Sequence, residues 1–373
     1  MGGNLCRLCV WKPAQSHARL AHMTSLAVRT ASAALTATFG SVLFSLAACS
    51  AGSQFTASAQ PGQGVARLQR SSAADGARSG RSPRGLVLVR FAQAEPPGAK
   101  AAKNTALKNL YVSDFVPQNV LVLKNSTHKS ADTISEGLVT PDGDFVDAAG
   151  NLYVSDYGGV HIQEYKPGGK SPSFTYKHRM IDPVGVSVDS HANVYEADYD
   201  GRYVNEYSQR SNTVIDSCSP GGGVEGVAVD ANDDVFVDYN KNLYGSGKIA
   251  EYKGGLAGCH KRVFNVALGF AGGMVLDAQH NLVVVDQNAR AVDVIAPPYS
   301  RITGTLGSGY LAPFHVTLSK NNKLAFVADL YDVFVINYPS GSLAVTLGNA
   351  QASGRGYGFV LPAGAVAYPN AVY

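Results

Sequence analysis

The hexapeptide Asn-Leu-Tyr-Val-Ser-Asp occurs at Asn109–Asp114 and again at Asn151–Asp156, and similar stretches begin at Asn193, Asp234, Asn281 and Lys323. Successive starts lie 42, 42, 41, 47 and 42 residues apart. A near-constant period over six copies means that one supersecondary unit is repeated, and that each unit buries its apolar surface against its neighbours. Inside each copy a segment such as Pro183–Asp189 or Val224–Asp230 alternates apolar and small residues with period 2, as a strand does. Four turn-forming residues follow, then the Leu-Tyr-Val-Ser-Asp strand. A third strand comes next, as in Val160–Lys166 and Lys248–Lys253, and a weaker fourth, as in Ser173–Lys177. Four antiparallel strands in about 42 residues, with no amphipathic helix, make one propeller blade. The predicted fold is therefore all-β, a six-bladed β-propeller with four-stranded antiparallel blades over residues 105–373.

The ends of the chain fit a closed ring. The first copy begins at its Leu-Tyr-Val-Ser-Asp strand with no preceding Pro-x-Gly segment, whereas Leu361–Tyr368 supplies such a segment with nothing after it. The C-terminal strand is predicted to join the N-terminal blade, which removes exposed sheet edges. The blade pattern resembles the NHL-repeat family of six-bladed propellers, most closely over Pro183–Asp198. That family holds scaffolds, ligand binders, and some lyases and lactonases, so the resemblance implies the fold more than the function.

Ahead of the repeats the composition changes. Residues 1–49 carry four Arg or Lys and no acid, and residues 50–106 carry eight against Asp75 and Glu95. Of the 31 basic and 28 acidic residues, 19 and 26 remain for the propeller, which is acidic. An acidic body argues against nucleic acid as a partner. From Met23 a short segment with Arg29, an uncharged stretch 31–48 and small residues before Cys49 make a secretory signal. Leu46–Cys49 resembles the lipobox of bacterial lipoproteins, which implies lipidation at Cys49 and a membrane contact through that N-terminal lipid. A normal signal length places the true start at Met23. The alternatives are a cleaved ordinary signal and a retained anchor helix. All three place the folded part outside the cytoplasm, and the lipobox implies an exported protein on the outer membrane or in the periplasm or cell surface. Residues 50–104, rich in Ser, Gly, Ala and Arg, read as a disordered tether, with Gly85–Phe91 as an apolar exception.

Candidate chemistry is sparse. In NHL-like enzymes a histidine often takes the x of Pro-x-Gly at the channel mouth, where several blades converge on a metal. Here the x positions are Asp142, Val184, Glu225, Gly272, Phe314 and Ala363, and His315 replaces the glycine one place later. Asp142, Glu225 and His315 are thus the candidate ligands of a divalent cation, Ca²⁺ or Zn²⁺; the alternative is that they are solvated rim residues. The aspartates Asp114, Asp156, Asp198, Asp286 and Asp329 recur too regularly for chemistry and are expected to accept backbone N–H groups. Departures from the repeat are Asp238, with Tyr239 in the aspartate's place, and Glu196, read as standing where Ser113 and Ser155 do. Asp230–Asp234 lacks the distal glutamate of an EF-hand and reads as a turn. Cys218 and Cys259, in two successive repeats, form a candidate disulfide, with a free buried pair, or redox or metal chemistry, as the alternatives. The function these residues support is a membrane-tethered binding module for a protein, a glycan or a small-molecule ligand, with no residue assigned to catalysis. The rival is an exported metal-dependent lyase or hydrolase, lactonase-like, with its site at the channel mouth.

Overall fold

In the computed structural model of the chain each Leu-Tyr-Val-Ser-Asp copy is the second strand of a four-stranded antiparallel sheet. The structure describes residues 55–58, 67–70, 108–124, 129–242, 245–348 and 359–369. Six such sheets follow one another, each running outward from an inner strand. The inner strands of blades 1 to 6 are Pro362–Tyr368, Pro141–Val146, Pro183–Val188, Gly223–Val229, Ala271–Leu276 and His315–Leu318. Blade 1 is built from both ends of the propeller: Pro362–Tyr368 pairs with Asn109–Asp114, Val366 opposite Tyr111 and Tyr368 opposite Asn109. Asn119–Lys124 and Lys129–Ile134 complete that sheet. The predicted closure by the C-terminal strand is the closure observed.

Successive side chains of a strand point to opposite faces of its sheet, and in a propeller each face meets a different neighbour. Leu110 and Val112 join a cluster with Leu324, Phe326 and Val335 of blade 6, whereas Tyr111 joins one with Val146, Leu152 and Val154 of blade 2. Every pair of adjacent blades shares one such buried cluster, rich in Val, Leu, Tyr and Phe. The β-branched residues of the repeat pack well on a pleated surface buried on both faces.

The register corrects one expectation. Glu196 pairs with Val186, and Ala197 with Gly185. Glu196 therefore takes the position of Val112 and Val154, and Ala197 that of Ser113. A one-residue slip reverses the face, so Glu196 lies on the side of Val194, toward blade 2. Within the stretch read as a tether, Phe55–Ser58 and Arg67–Arg70 pair antiparallel, Phe55 opposite Arg70; they belong to a separate unit, Met23–Ala99. The signal segment, Cys49 and Gly85–Phe91 lie outside the described residues.

Candidate functional site

The start of each inner strand is an irregular place. The x residue of Pro-x-Gly lies in a β-bulge in blades 1 to 5: the pairing shifts between Pro362 and Gly364, Pro141 and Asp144, Pro183 and Gly185, Val224 and Gly226, and Ala271 and Met274. A bulge re-aims the side chain it carries. Asp142 and Glu225 are consequently buried, at 0% and 1% exposure, not solvated at a rim as the alternative had them. The motif glycines are needed because the inner strands converge on the axis: a Cβ on Gly143 would lie 2.5 Å from the Val184 carbonyl. In blade 6 the glycine is His315, whose imidazole fills the space that this ring leaves open. Its Nδ1 occupies the place where a Cβ on Gly273 would fall, and its Cε1 stands 2.9 Å from the same point on Gly143.

His315 thus bridges from blade 6 past blade 1 to blade 2. Its Nε2 is 3.5 Å from Asp142 Oδ1, and Asp144, two residues on, accepts a hydrogen bond from Ser113 Oγ at 3.0 Å. Burial pushes the Asp144 carboxyl up to about 7, against the Ser113 hydrogen bond and the nearby His315. The other oxygen, Oδ1, is buried without a hydrogen-bond partner. The axial cavity that His315 and Asp144 line, with Ser187, Gly226 and Thr317, measures about 40 Å³. At roughly 10–15 Å³ per water that is room for a few waters, not for an organic substrate.

Glu225 does not join this group. Its charge acts on Asp238, whose carboxyl is held well above the usual range by burial and then by Glu225, while accepting the Gly226 N–H at 2.8 Å. Of the three candidate ligands the structure brings Asp142 and His315 together and places Glu225 elsewhere. Among the described residues the three side chains whose ligand atoms all fall within 4.8 Å of one another are Asp189, His191 and Asp233. Sequence reading had not singled out the first two. Glu196, pushed well up by burial and by Asp198, accepts a hydrogen bond from Asn205 Nδ2 at 2.7 Å, and Ser217 Oγ donates to Asn205 Oδ1 at 2.6 Å. This polar line crosses three strands of blade 3.

The recurring aspartates do what their regularity implied. Each carboxylate caps the loop that enters its own blade: Asp114 accepts from Val360 and Leu361 N–H, Asp156 from Val139 and Thr140, Asp198 from Ile181 and Asp182, Asp286 from Gly269 and Phe270, Asp329 from Leu311 and Ala312. Blade 4 has Tyr239 there, and its entry loop is tied differently. Cys218, just before the loop, is bonded to Cys259 with Sγ atoms 2.09 Å apart, and Lys261 Nζ donates to the Ser219 and Pro220 carbonyls at 3.0 and 2.9 Å.

These observations define the chain as a six-bladed β-propeller. No family model and no curated protein matches it. Among solved structures it is similar to a chain of a nidogen/laminin complex, at 15% identity and a TM-score of 0.56, over 69% of this chain and 97% of that one. It is also similar to a protein of unknown function from Bacteroides caccae, at 10% identity and a TM-score of 0.55, over 70% and 98%. At such identities the likeness is one of fold.

Proposed function

We propose that this chain is an exported, lipid-tethered propeller that binds a protein partner through the end of the ring at which the inner strands begin. The observation that carries the reading is the distribution of exposed apolar side chains. Val116, Val139, Val160, Ile181, Tyr203 and Val360 all lie on loops or strand starts at that end, in blades 1 to 3; Ile181 is 61% and Val116 55% exposed. Clustered apolar surface of this kind marks interaction sites. The loops are held rigid from beneath, since the N–H groups of Val139, Ile181 and Val360 are bound to Asp156, Asp198 and Asp114 at 2.7, 2.8 and 2.9 Å. A preordered surface loses less entropy on binding. Exposed Arg179, Arg202, Lys241 and Arg290 stand at the same end of an otherwise acidic propeller, so a partner with acidic and apolar groups fits best. The fold's occurrence in a nidogen/laminin complex supports a protein ligand over a glycan or small molecule, as does the small axial cavity. The lipobox-like Leu46–Cys49 and the basic segment before it support export and anchoring.

The test is site-specific photocrosslinking in intact cells of a host that processes lipoproteins. A crosslinker at Ile181 or Val139 is expected to capture a discrete surface protein, and one at Ile215, exposed on the outer strand of blade 3, is not. Ile181→Asp should abolish capture from Val139 with the melting temperature unchanged. Equal capture from Ile215 would sink the proposed face, and a Cys49→Ser chain that stays in the membrane fraction would sink the lipid tether.

A further inference from the structure

At the opposite end of the ring, where the inner strands turn into the second strands, we infer a divalent transition-metal site formed by Asp189 and His191 of blade 3 with Asp233 of blade 4. The donor atoms of the three side chains all lie within 4.8 Å of one another. His191 Nδ1 stands 3.6 Å from Asp233 Oδ1, within ion-pair range but beyond hydrogen-bond reach; the Asp233 side chain is 37% exposed, yet this oxygen is itself covered and accepts no hydrogen bond. Two donors on one zinc ion, each at about 2.0–2.1 Å in tetrahedral array, sit roughly 3.3 Å apart. The gap between imidazole and carboxylate is close to the one an ion bridges, and an ion would satisfy the buried oxygen.

The third ligand is already oriented. Asp189 Oδ1 accepts the N–H groups of His191 and Asn193 at 2.9 and 2.8 Å, and Oδ2 accepts Asn193 Nδ2 at 3.0 Å and the Tyr195 hydroxyl at 3.3 Å. Such outer contacts fix a ligating carboxylate and leave its charge in place. One nitrogen and two carboxylates suit Zn²⁺, Ni²⁺ or Cu²⁺ better than Ca²⁺, which takes six to eight oxygens. His191 is 68% exposed on its side chain, so an ion can enter and keep solvent positions. Asp189 also lines a hollow of about 230 Å³ with Phe145, Val188, Ser190 and Val229.

The repeat supplies an internal control. In blade 2 the matching turn tips are Ala148 and Ala149, with no imidazole. From blade 5, His280 Nδ1 approaches Asp230 Oδ2 of the same blade-4 turn at 3.3 Å, but no third donor completes a trio there. The experiment equilibrates the tag-free full-length chain and its His191→Ala, Asp233→Asn and His280→Ala variants with Zn²⁺, then measures bound metal by mass spectrometry after desalting. The expected result is one Zn²⁺ fewer per chain in the His191 and Asp233 variants, and unchanged content in the His280 variant, all with native circular dichroism. Because sulfur ligands elsewhere can hold zinc, the difference is the readout. Equal zinc in all four chains overturns the site, as does the same loss in His280→Ala. Tetrahedral Co²⁺ absorption bands in the wild type that persist in His191→Ala would also overturn it.

Discussion

Asp144 shows how burial alone can make a carboxyl respond to pH near neutrality. Its folded-state pKa of about 7 lies above the 3.8 of the exposed group. Between these values the folded chain holds a proton that the unfolded chain has lost. The associated stability is therefore fully present below about pH 4 and is lost as pH rises toward 7. Glu196 and Asp238, raised for the same reason, act in the same direction. Thermal or urea unfolding between pH 5 and 7 should show stability falling as pH rises, with Asp144 contributing at most about 1.4 kcal/mol per pH unit. Asp144→Asn is expected to flatten that slope; an unchanged slope would show that the group is ionised in the fold. Asp142, Glu225 and His315 could be picked out because they break a repeat, but their separation is set by bulges and blade curvature. Glu196 was read one residue off: counted from Asn193 it is the fourth residue of its copy, level with Val112 and Val154, and its pairing with Val186 gives the same face.

At the level of the blade, each entry loop needs partners for its buried N–H groups, since leaving them unpaired costs stability. Five blades use an aspartate. Blade 4 lacks it, and Cys218–Cys259 and Lys261 tie down the loop from outside. Two cysteines in successive repeats already suggested the bond; what it substitutes for appears only when the hydrogen bonds of all six blades are compared. The bond closes a loop across a separation of 41 residues, worth roughly 4 kcal/mol by loop-closure entropy. Cys218→Ala with Cys259→Ala should lower unfolding free energy by about that amount, and restoring an aspartate with Tyr239→Asp should not recover it, because the blade-4 loop Ser219–Gly222 is shaped by proline and glycine. Chemical denaturation of the three chains checks both points; a loss below about 1 kcal/mol would mean that Lys261 suffices.

For the whole molecule the decisive contact is the one between chain ends. Pro362–Tyr368 gives blade 1 its inner strand and contributes Val366 to the cluster with blade 2 and Ala365 and Ala367 to that with blade 6. A chain ending at Val360 is expected to expose the edge of Asn109–Asp114 and the faces of two blades. Exposed edges and apolar faces pair with other chains, so size-exclusion chromatography should show association and the melt should lose its single transition. A monomeric, cooperatively unfolding truncation would mean that five blades and an open edge suffice.

The sequence by itself determined the repeat, the strand count, the six blades, the closing strand and the structural duty of the recurring aspartates, because all of these follow from periodicity and turn chemistry that are local to each copy. Only the tertiary structure decided which departures from the repeat meet. Asp142 reaches His315 from a blade two places away, Glu225 turns to Asp238, and Asp189, His191 and Asp233 converge from two turns that each look ordinary alone. The physical reason is that side chains from different blades, or from different strands of one blade, are brought together by the curvature and bulges of the ring, quantities that no single copy of the repeat encodes.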